Sequence, residues 1–320
     1  MNIEAQLIQA RKPLAHPYST WIVMWKTLNG CFWSLLLLIA LLTTNLIQTL
    51  SLITWPFSKT VFRTINQFLA EKWWSFFTIV VERKSRMKVT FWGEDVPEKE
   101  RVLLISNHQC MSDIPSIMTL AIRKSRIGDL KFFVKDIIKY VPGVGWGMLF
   151  LDCLFVKRSW LSDHQSIKDT FKNIHRYNVP IWLVSYLEGT RFTQEKLKKA
   201  HSYAEKAGLW KPNHVLLPRT KGFVATVEGL RECVDAIYDL TIGYPDGVPT
   251  LWQSLMGLVP SMHIHIQRTA IEDIPHSAPK ISNWVMEQFR KKDKLMAFFL
   301  QHGVFQGQEL GRLFEERQQG

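Results

Sequence analysis

The stretch RVLLISNHQCMSDIPSIMTLAIRK, residues 101–124, changes its periodicity midway and so decides the class of fold. RVLLIS is a short apolar run rich in branched side chains and bounded by charge and Asn, the pattern of a buried strand. SIMTLAIRK has helical spacing, with Asp113 near the helix start and Pro115 tolerated in its first turn. Downstream the alternation continues. LKFFVKDIIKY, the Gly-rich VPGVGWGMLF and LDCLFVKR are followed by a helix near 163–177, a strand in VPIWLVSYLE and a charged segment at 193–207. VLLPRTKGFVATVEGL turns from a strand pattern to a helical one, and AIYDLTIGYP and MHIHIQR read as two more strands. Strands alternating with helices predict an α/β domain, a mostly parallel central sheet flanked by helices. The tail from Ile281 keeps helical spacing and is expected to pack on that domain as a C-terminal helical extension.

Upstream the composition changes. From Thr27 to Ser58 there is no Lys, Arg, Asp, Glu or His. A bilayer core needs roughly 20 apolar residues in a helix, so this run is long enough to cross one. Thr43, Thr44, Asn45, Gln48 and Thr49 interrupt it, and polar side chains in lipid call for protein or interfacial partners, so a spanning helix and a bent hairpin both stand. KWWSFFTIVV, residues 72–81, is too short to span and fits an interfacial helix or a core equally. The expected organisation is a membrane-anchoring region over 1–85 and an α/β domain over 86–320.

Forty Lys and Arg against 28 Asp and Glu leave a formal charge of +12. Such a chain is drawn to an anionic surface; the apolar segment favours lipid, and no nucleic-acid motif accompanies the basic clusters. Four cysteines, at 31, 110, 153 and 233, form no close pair and no disulfide framework, which points to a reducing compartment.

Candidate chemistry gathers at predicted strand ends. A neutral imidazole at His108 can accept a hydroxyl proton, and Asp113 can fix its tautomer. Five residues separate them, so contact requires a turn before the helix. In VSYLEGTRF a strand ends at Glu188, Gly189 supplies a geometry closed to most residues, and Arg191 offers a fork of donors to phosphate oxygens. Lys157 and Arg158 close FVKR, and Arg219 and Lys221 lie in LPRTKG; strand ends of α/β sheets converge on one crevice. Ser106 lacks a GxSxG elbow, Cys110 and Cys153 suit a core, and His263 with His265 lack a third metal ligand, so no metal is expected.

Together these blocks resemble the glycerolipid acyltransferase family, typified by 1-acylglycerol-3-phosphate acyltransferase. The family's Asn-His-x4-Asp block is NHQCMSD here; its second block resembles VPGVGWGMLFLDCLFVKR, ending at Arg158. The third, commonly Phe-Pro-Glu-Gly-Thr-Arg, is YLEGTR, and the fourth resembles VLLPR. Tyr186 and Leu187 replace the commoner Phe-Pro, a departure shared by the bacterial YihG-type and lysocardiolipin-type branch.

The resemblance implies acyl transfer from acyl-CoA or acyl carrier protein to a lysophospholipid hydroxyl, such as that of 1-acyl-glycerol-3-phosphate, without a further cofactor. It implies His108 as base and Asp113 as its orienting acid. Arg158 and Arg191 would hold phosphate, with Lys157 and Arg219 as further candidates, and Glu188 and Gly189 would shape the turn. It also implies a catalytic domain on the cytoplasmic face of the inner membrane. A thioester or lipid hydrolase and a non-catalytic lipid-binding protein are the rival readings.

Overall fold

The computed structural model describes residues 13–15, 18–157 and 160–310, except for the side chains of 160–164 and 166. Its strands are β1 (Lys88–Gly93), β2 (Val102–Ser106), β3 (Leu130–Lys135), β4 (Leu154–Val156), β5 (Trp182–Ser185), β6 (Ala236–Gly243) and β7 (Ser261–Ala270). They form one sheet in the order β1-β7-β6-β2-β5-β3-β4. Every neighbouring pair is parallel except β6 and β7. MHIHIQR is thus a strand as expected, running against its neighbour β6.

The helices are α1 (Thr20–Ser51), α2 (Lys59–Ile79), α3 (Asp113–Arg123), α4 (Val144–Phe150), α5 (Trp160–Arg176), α6 (Gln194–Lys206), α7 (Thr220–Leu230), α8 (Leu251–Leu255) and α9 (Ala278–His302). All five residues of β2 are buried, as a central parallel strand covered on both faces requires. Val102 and Leu104 pack with residues of α2 and α3 on one face. Leu103 and Ile105 point the other way, among residues of α5, α7 and α9. Each such side chain removed from water contributes about 1.5–3 kcal/mol, and this two-sided burial pins the register of the strand that carries the site.

One predicted segment differs. VLLP is not a strand: the backbone N–H groups of Asn213, His214 and Val215 donate to the Asp293 carboxylate of α9 instead of to a sheet neighbour. A side chain thus satisfies the donors that a ladder would have taken. The Gly-rich run forms the short α4 after a tight turn, where a Cβ on Gly145 would lie 1.9 Å from the carbonyl oxygen of Ile138. KWWSFFTIVV belongs to α2 and the π-helical turn after it, with Trp74, Val80 and Val81 buried in the core.

Helix α1 lies in Thr20–Thr54, the one stretch among the described residues that is long and apolar enough to cross a membrane. Its buried stripe of Gly30, Leu37, Leu41, Asn45, Gln48 and Ser51 faces protein. Gly30 meets Met256 and Trp252, Leu41 meets Gly143, and Asn45 and Gln48 approach Gly147 of α4. The Asn66 amide donates to Ser51 Oγ at 2.9 Å, joining α1 to α2. The polar residues that interrupt the apolar run therefore either face protein or, like Thr43 and Thr49, bond back to their own helix. Trp21, Trp25, Phe32, Leu35 and Leu46 remain exposed along the opposite side, and Ile53 and Phe57 in the turn that follows.

Candidate active site

Where β2 ends, Asn107 imitates a strand residue with its side chain. Its amide donates to the Ile242 carbonyl at 3.0 Å, and its amide oxygen accepts the Ile242 N–H at 2.8 Å. The backbone is thereby released to turn, while the end of β6 stays capped. The following loop wraps around Asp113, the first residue of α3. Oδ2 of Asp113 accepts from His108 Nδ1 at 2.9 Å, from the Gln109 N–H at 2.7 Å and from the Cys110 N–H at 3.0 Å. Oδ1 accepts from the Tyr244 hydroxyl at 2.9 Å. Pro115 sits just inside the helix, where its missing N–H costs nothing.

Because an ionised carboxylate only accepts, Nδ1 of His108 carries the proton and Nε2 keeps its lone pair. Burial and the nearby Asp113 push the Tyr244 phenol well above the ordinary tyrosine range, so it remains a donor. The same causes hold the Cys110 thiol protonated, which removes it as a nucleophile. The His108 ring stacks on Tyr186, with centroids 4.1 Å apart and planes at 21°.

The YLEGTR turn docks against this loop. The Phe192 N–H donates to the His108 carbonyl at 2.7 Å, and the His108 N–H donates to Glu188 Oε1 at 3.4 Å. Gly189 has φ +66, and a Cβ there would lie 2.6 Å from Nε of Arg219. Arg219 is itself fixed by its N–H, which donates to the Leu187 carbonyl at 2.8 Å. A groove of about 820 Å³ starts at Gln109, Cys110 and Met111 and continues past Arg191, Phe192 and Lys196 to Val248 and Leu251. Lys196 is tied to the same turn through Thr190 Oγ1 at 2.7 Å and the Arg191 carbonyl at 2.9 Å.

The fold therefore assembles His108, Asp113, Glu188, Gly189, Arg191 and Arg219 in one neighbourhood. Lys157 lies just past the end of β4 and Lys221 is exposed on α7. Arg158 lies outside the described residues. His263 is engaged elsewhere: its Nδ1 accepts from Trp92 Nε1 at 2.9 Å on the β1–β7 side of the sheet. Sequence reasoning missed Asn107 as a strand mimic, Tyr244 as a partner of Asp113 and Lys196 as a groove cation. Tyr244 directly follows β6, and its place at a strand end in AIYDLTIGYP was the one signal available.

Comparison with known proteins adds to this geometry. A family model described as Acyltransferase matches residues 88–244, and one described as Acyltransferase C-terminus matches residues 254–319. The chain is 34% identical to a 1-acyl-sn-glycerol-3-phosphate acyltransferase 2 of Brassica oleracea, over 86% of this chain and 72% of that protein. It is 32% identical to the human 1-acyl-sn-glycerol-3-phosphate acyltransferase gamma, over 84% and 73%. A crystal structure of a 1-acyl-sn-glycerophosphate acyltransferase from Thermotoga maritima shares 16% identity with a TM-score of 0.45, covering 81% of this chain and 96% of that one. With a buried carboxylate orienting an imidazole beside a cationic turn, and with matches of this extent, the chain belongs to the glycerolipid acyltransferase family and is an enzyme of that general type.

Proposed function

We propose that this protein transfers a fatty acyl group from a thioester donor, acyl-CoA or acyl carrier protein, to the free hydroxyl of a lysophospholipid. The observation that carries the reading is the His108–Asp113 pair, in which a carboxylate held by two backbone N–H groups and the Tyr244 hydroxyl fixes the imidazole. Nε2 of His108 takes the hydroxyl proton as the oxygen attacks the thioester carbonyl carbon. The tetrahedral intermediate then collapses, the C–S bond breaks, and the imidazolium returns its proton to the leaving sulfur. General-base assistance of this kind supplies about 10²–10⁴ in rate, and holding the two substrates together supplies more.

The acceptor phosphate is assigned to Arg191 and Arg219, with Arg158 and Lys157 as further candidates. Arg191 on the turn that docks against His108, and Arg219 packed against that turn at Gly189 and Leu187, support this assignment. Met111, Phe192, Val248 and Leu251 give the groove an apolar wall suited to an acyl chain. The names of the relatives favour 1-acyl-glycerol-3-phosphate as acceptor. Tyr186 and Leu187 keep the YihG-type and lysocardiolipin-type branch, with its other headgroups, in view.

Residues 1–85 act as the anchor and 86–320 as the catalytic domain. The exposed apolar side of α1 meets lipid while its other side holds the domain at the bilayer, on the cytoplasmic face of the inner membrane. The test is product analysis by mass, with several lysophospholipids offered against a ladder of acyl-CoAs. Diacyl product made only with acceptor present, and lost in His108→Ala, is expected. Free fatty acid released at the same rate without acceptor would instead make the protein a hydrolase.

A further inference from the structure

At the other end of the sheet from His108, three cations surround one aromatic ring. Relative to the centroid of Tyr177, the Arg63 guanidinium carbon lies at 4.3 Å, that of Arg176 at 5.5 Å and the Lys59 ammonium at 5.8 Å. Each cation–π contact is worth only about 0.5–1 kcal/mol where solvent reaches it, and the three cations repel one another. The carboxylate paired with the group is Asp152, which accepts from Arg63 Nε at 3.0 Å. Asp129, which lines the adjoining cavity, already accepts from Arg126 at 2.7 Å and from Gln67. Among the described residues, two positive charges of the cluster are therefore left over. Arg63 also retains donor capacity, since its Nη1 is buried without a hydrogen-bond partner among the described residues.

Arg63 and Tyr177 both line a cavity of about 200 Å³, together with Thr60, Thr64, Asn178 and the two already engaged acids Asp129 and Asp152. At about 30 Å³ per water, that volume admits a phosphate group. Tyr177 and Asn178 precede β5, whereas His108 follows β2, and the two strands are parallel with Val102 opposite Trp182. The length of β2, at about 3.3 Å per residue, thus separates the cavity from the catalytic end. Lys59 also lies 5.2 Å from the Trp55 ring, beside the α1–α2 turn where Ile53, Trp55 and Phe57 are exposed, Phe57 at 86%. Cations next to a protruding apolar turn match the depth of lipid headgroups, with the apolar tip below them.

We propose that Lys59, Arg63 and Arg176, gathered around Tyr177, form a second phosphate-binding site that takes the headgroup of an anionic phospholipid, separate from the catalytic groove. Its occupant would hold the base of the anchor against an acidic bilayer. The shared chemistry is a phosphate oxygen, which a lipid or free phosphate could supply.

The test measures binding of the full-length protein, in neutral detergent, to phosphatidylcholine vesicles with and without phosphatidylglycerol. The double variant Lys59→Gln/Arg176→Gln is expected to lose about thirtyfold in affinity for the anionic vesicles, roughly fivefold per cation, and nothing for the neutral ones. Lys198→Gln/Lys206→Gln, which removes the same charge from exposed positions on α6, is the control. Equal losses in the two doubles would overturn the proposal in favour of bulk charge. Competition by short-chain phosphatidylglycerol alone identifies the lipid headgroup, and competition by inorganic phosphate as well shows that the site accepts the free anion. Absence of both effects would overturn the site. Acyl transfer in neutral micelles should be unchanged in Lys59→Gln/Arg176→Gln, so this site and the acyl-transfer reading fail separately.

Discussion

Replacing Asp113 by Asn tests the catalytic arrangement most sharply, because the structure specifies how the amide must sit. Oδ2 receives three donors, one from the His108 ring and two from the backbone of Gln109 and Cys110. An amide NH2 at that position would face two immovable N–H groups, at about 1–3 kcal/mol for each donor left unsatisfied. The amide oxygen therefore occupies the Oδ2 site, and the NH2 faces Tyr244, whose hydroxyl can accept as well as donate. His108 keeps its tautomer, and what disappears is the negative charge beside the imidazolium formed during proton transfer. A hydrogen bond to a charged partner is worth about 1.5–3 kcal/mol and a neutral one about half that. With the lost Coulomb attraction, kcat should fall roughly 10²-fold. The assay is thiol release from acyl-CoA in lysolipid mixed micelles, with circular dichroism to confirm folding. His108→Ala should cost more than Asp113→Asn. Activity within twofold of wild type would refute the role of the carboxylate, and a loss equal to that of His108→Ala would refute the inferred amide orientation.

Other consequences follow from neighbouring contacts. Tyr244→Phe removes one donor from Asp113 and should lower kcat about tenfold with little change in KM, measured in the same assay. Tyr186→Phe should behave oppositely: the Tyr186 hydroxyl is buried without a partner among the described residues, so urea unfolding should show stability unchanged or raised by about 1 kcal/mol while the ring stack on His108 persists. Gly189→Ala places a Cβ against Arg219 at a positive φ, costing about 1–2 kcal/mol in backbone conformation and raising the KM for lysophospholipid. Burial pushes the His265 imidazole down to about 4. The unfolded chain takes up that proton near 6.5, so the stability this residue contributes is complete above 6.5 and is lost as pH falls toward 4, by about 3 kcal/mol in total. Urea unfolding across that window should show the slope in wild type and lose it in His265→Phe.

The local order of strand, loop and helix in residues 101–124 was legible because periodicity is a property of neighbouring residues. The same holds for the YLEGTR turn and for the long apolar run of α1. Pairing His108 with Asp113 was also within reach, since a loop of five residues closes on itself once a strand ends and a helix begins. Binding sites built from distant parts of the chain were not. Tyr244 meets Asp113 across 131 residues, and Asn107 meets Ile242 across 135; neither contact leaves a trace in local spacing. VLLP carries strand propensity, yet Asp293 of the C-terminal helix takes the backbone donors that would have entered the sheet. Tertiary hydrogen bonding outweighs a propensity worth about 1 kcal/mol at most.

By itself the sequence determined the α/β class, the pairing of His108 with Asp113, the cationic turn and the apolar segment, since each is written in adjacent residues and their hydrophobic period. Only the tertiary structure decided that β7 runs against β6, that α1 is docked along one side by a mixed apolar and polar stripe, and that three cations meet at Tyr177. The physical reason is shared by all three. Each depends on which surfaces find one another after the chain has turned back on itself, and that choice is made by burial and hydrogen-bond satisfaction over the whole molecule.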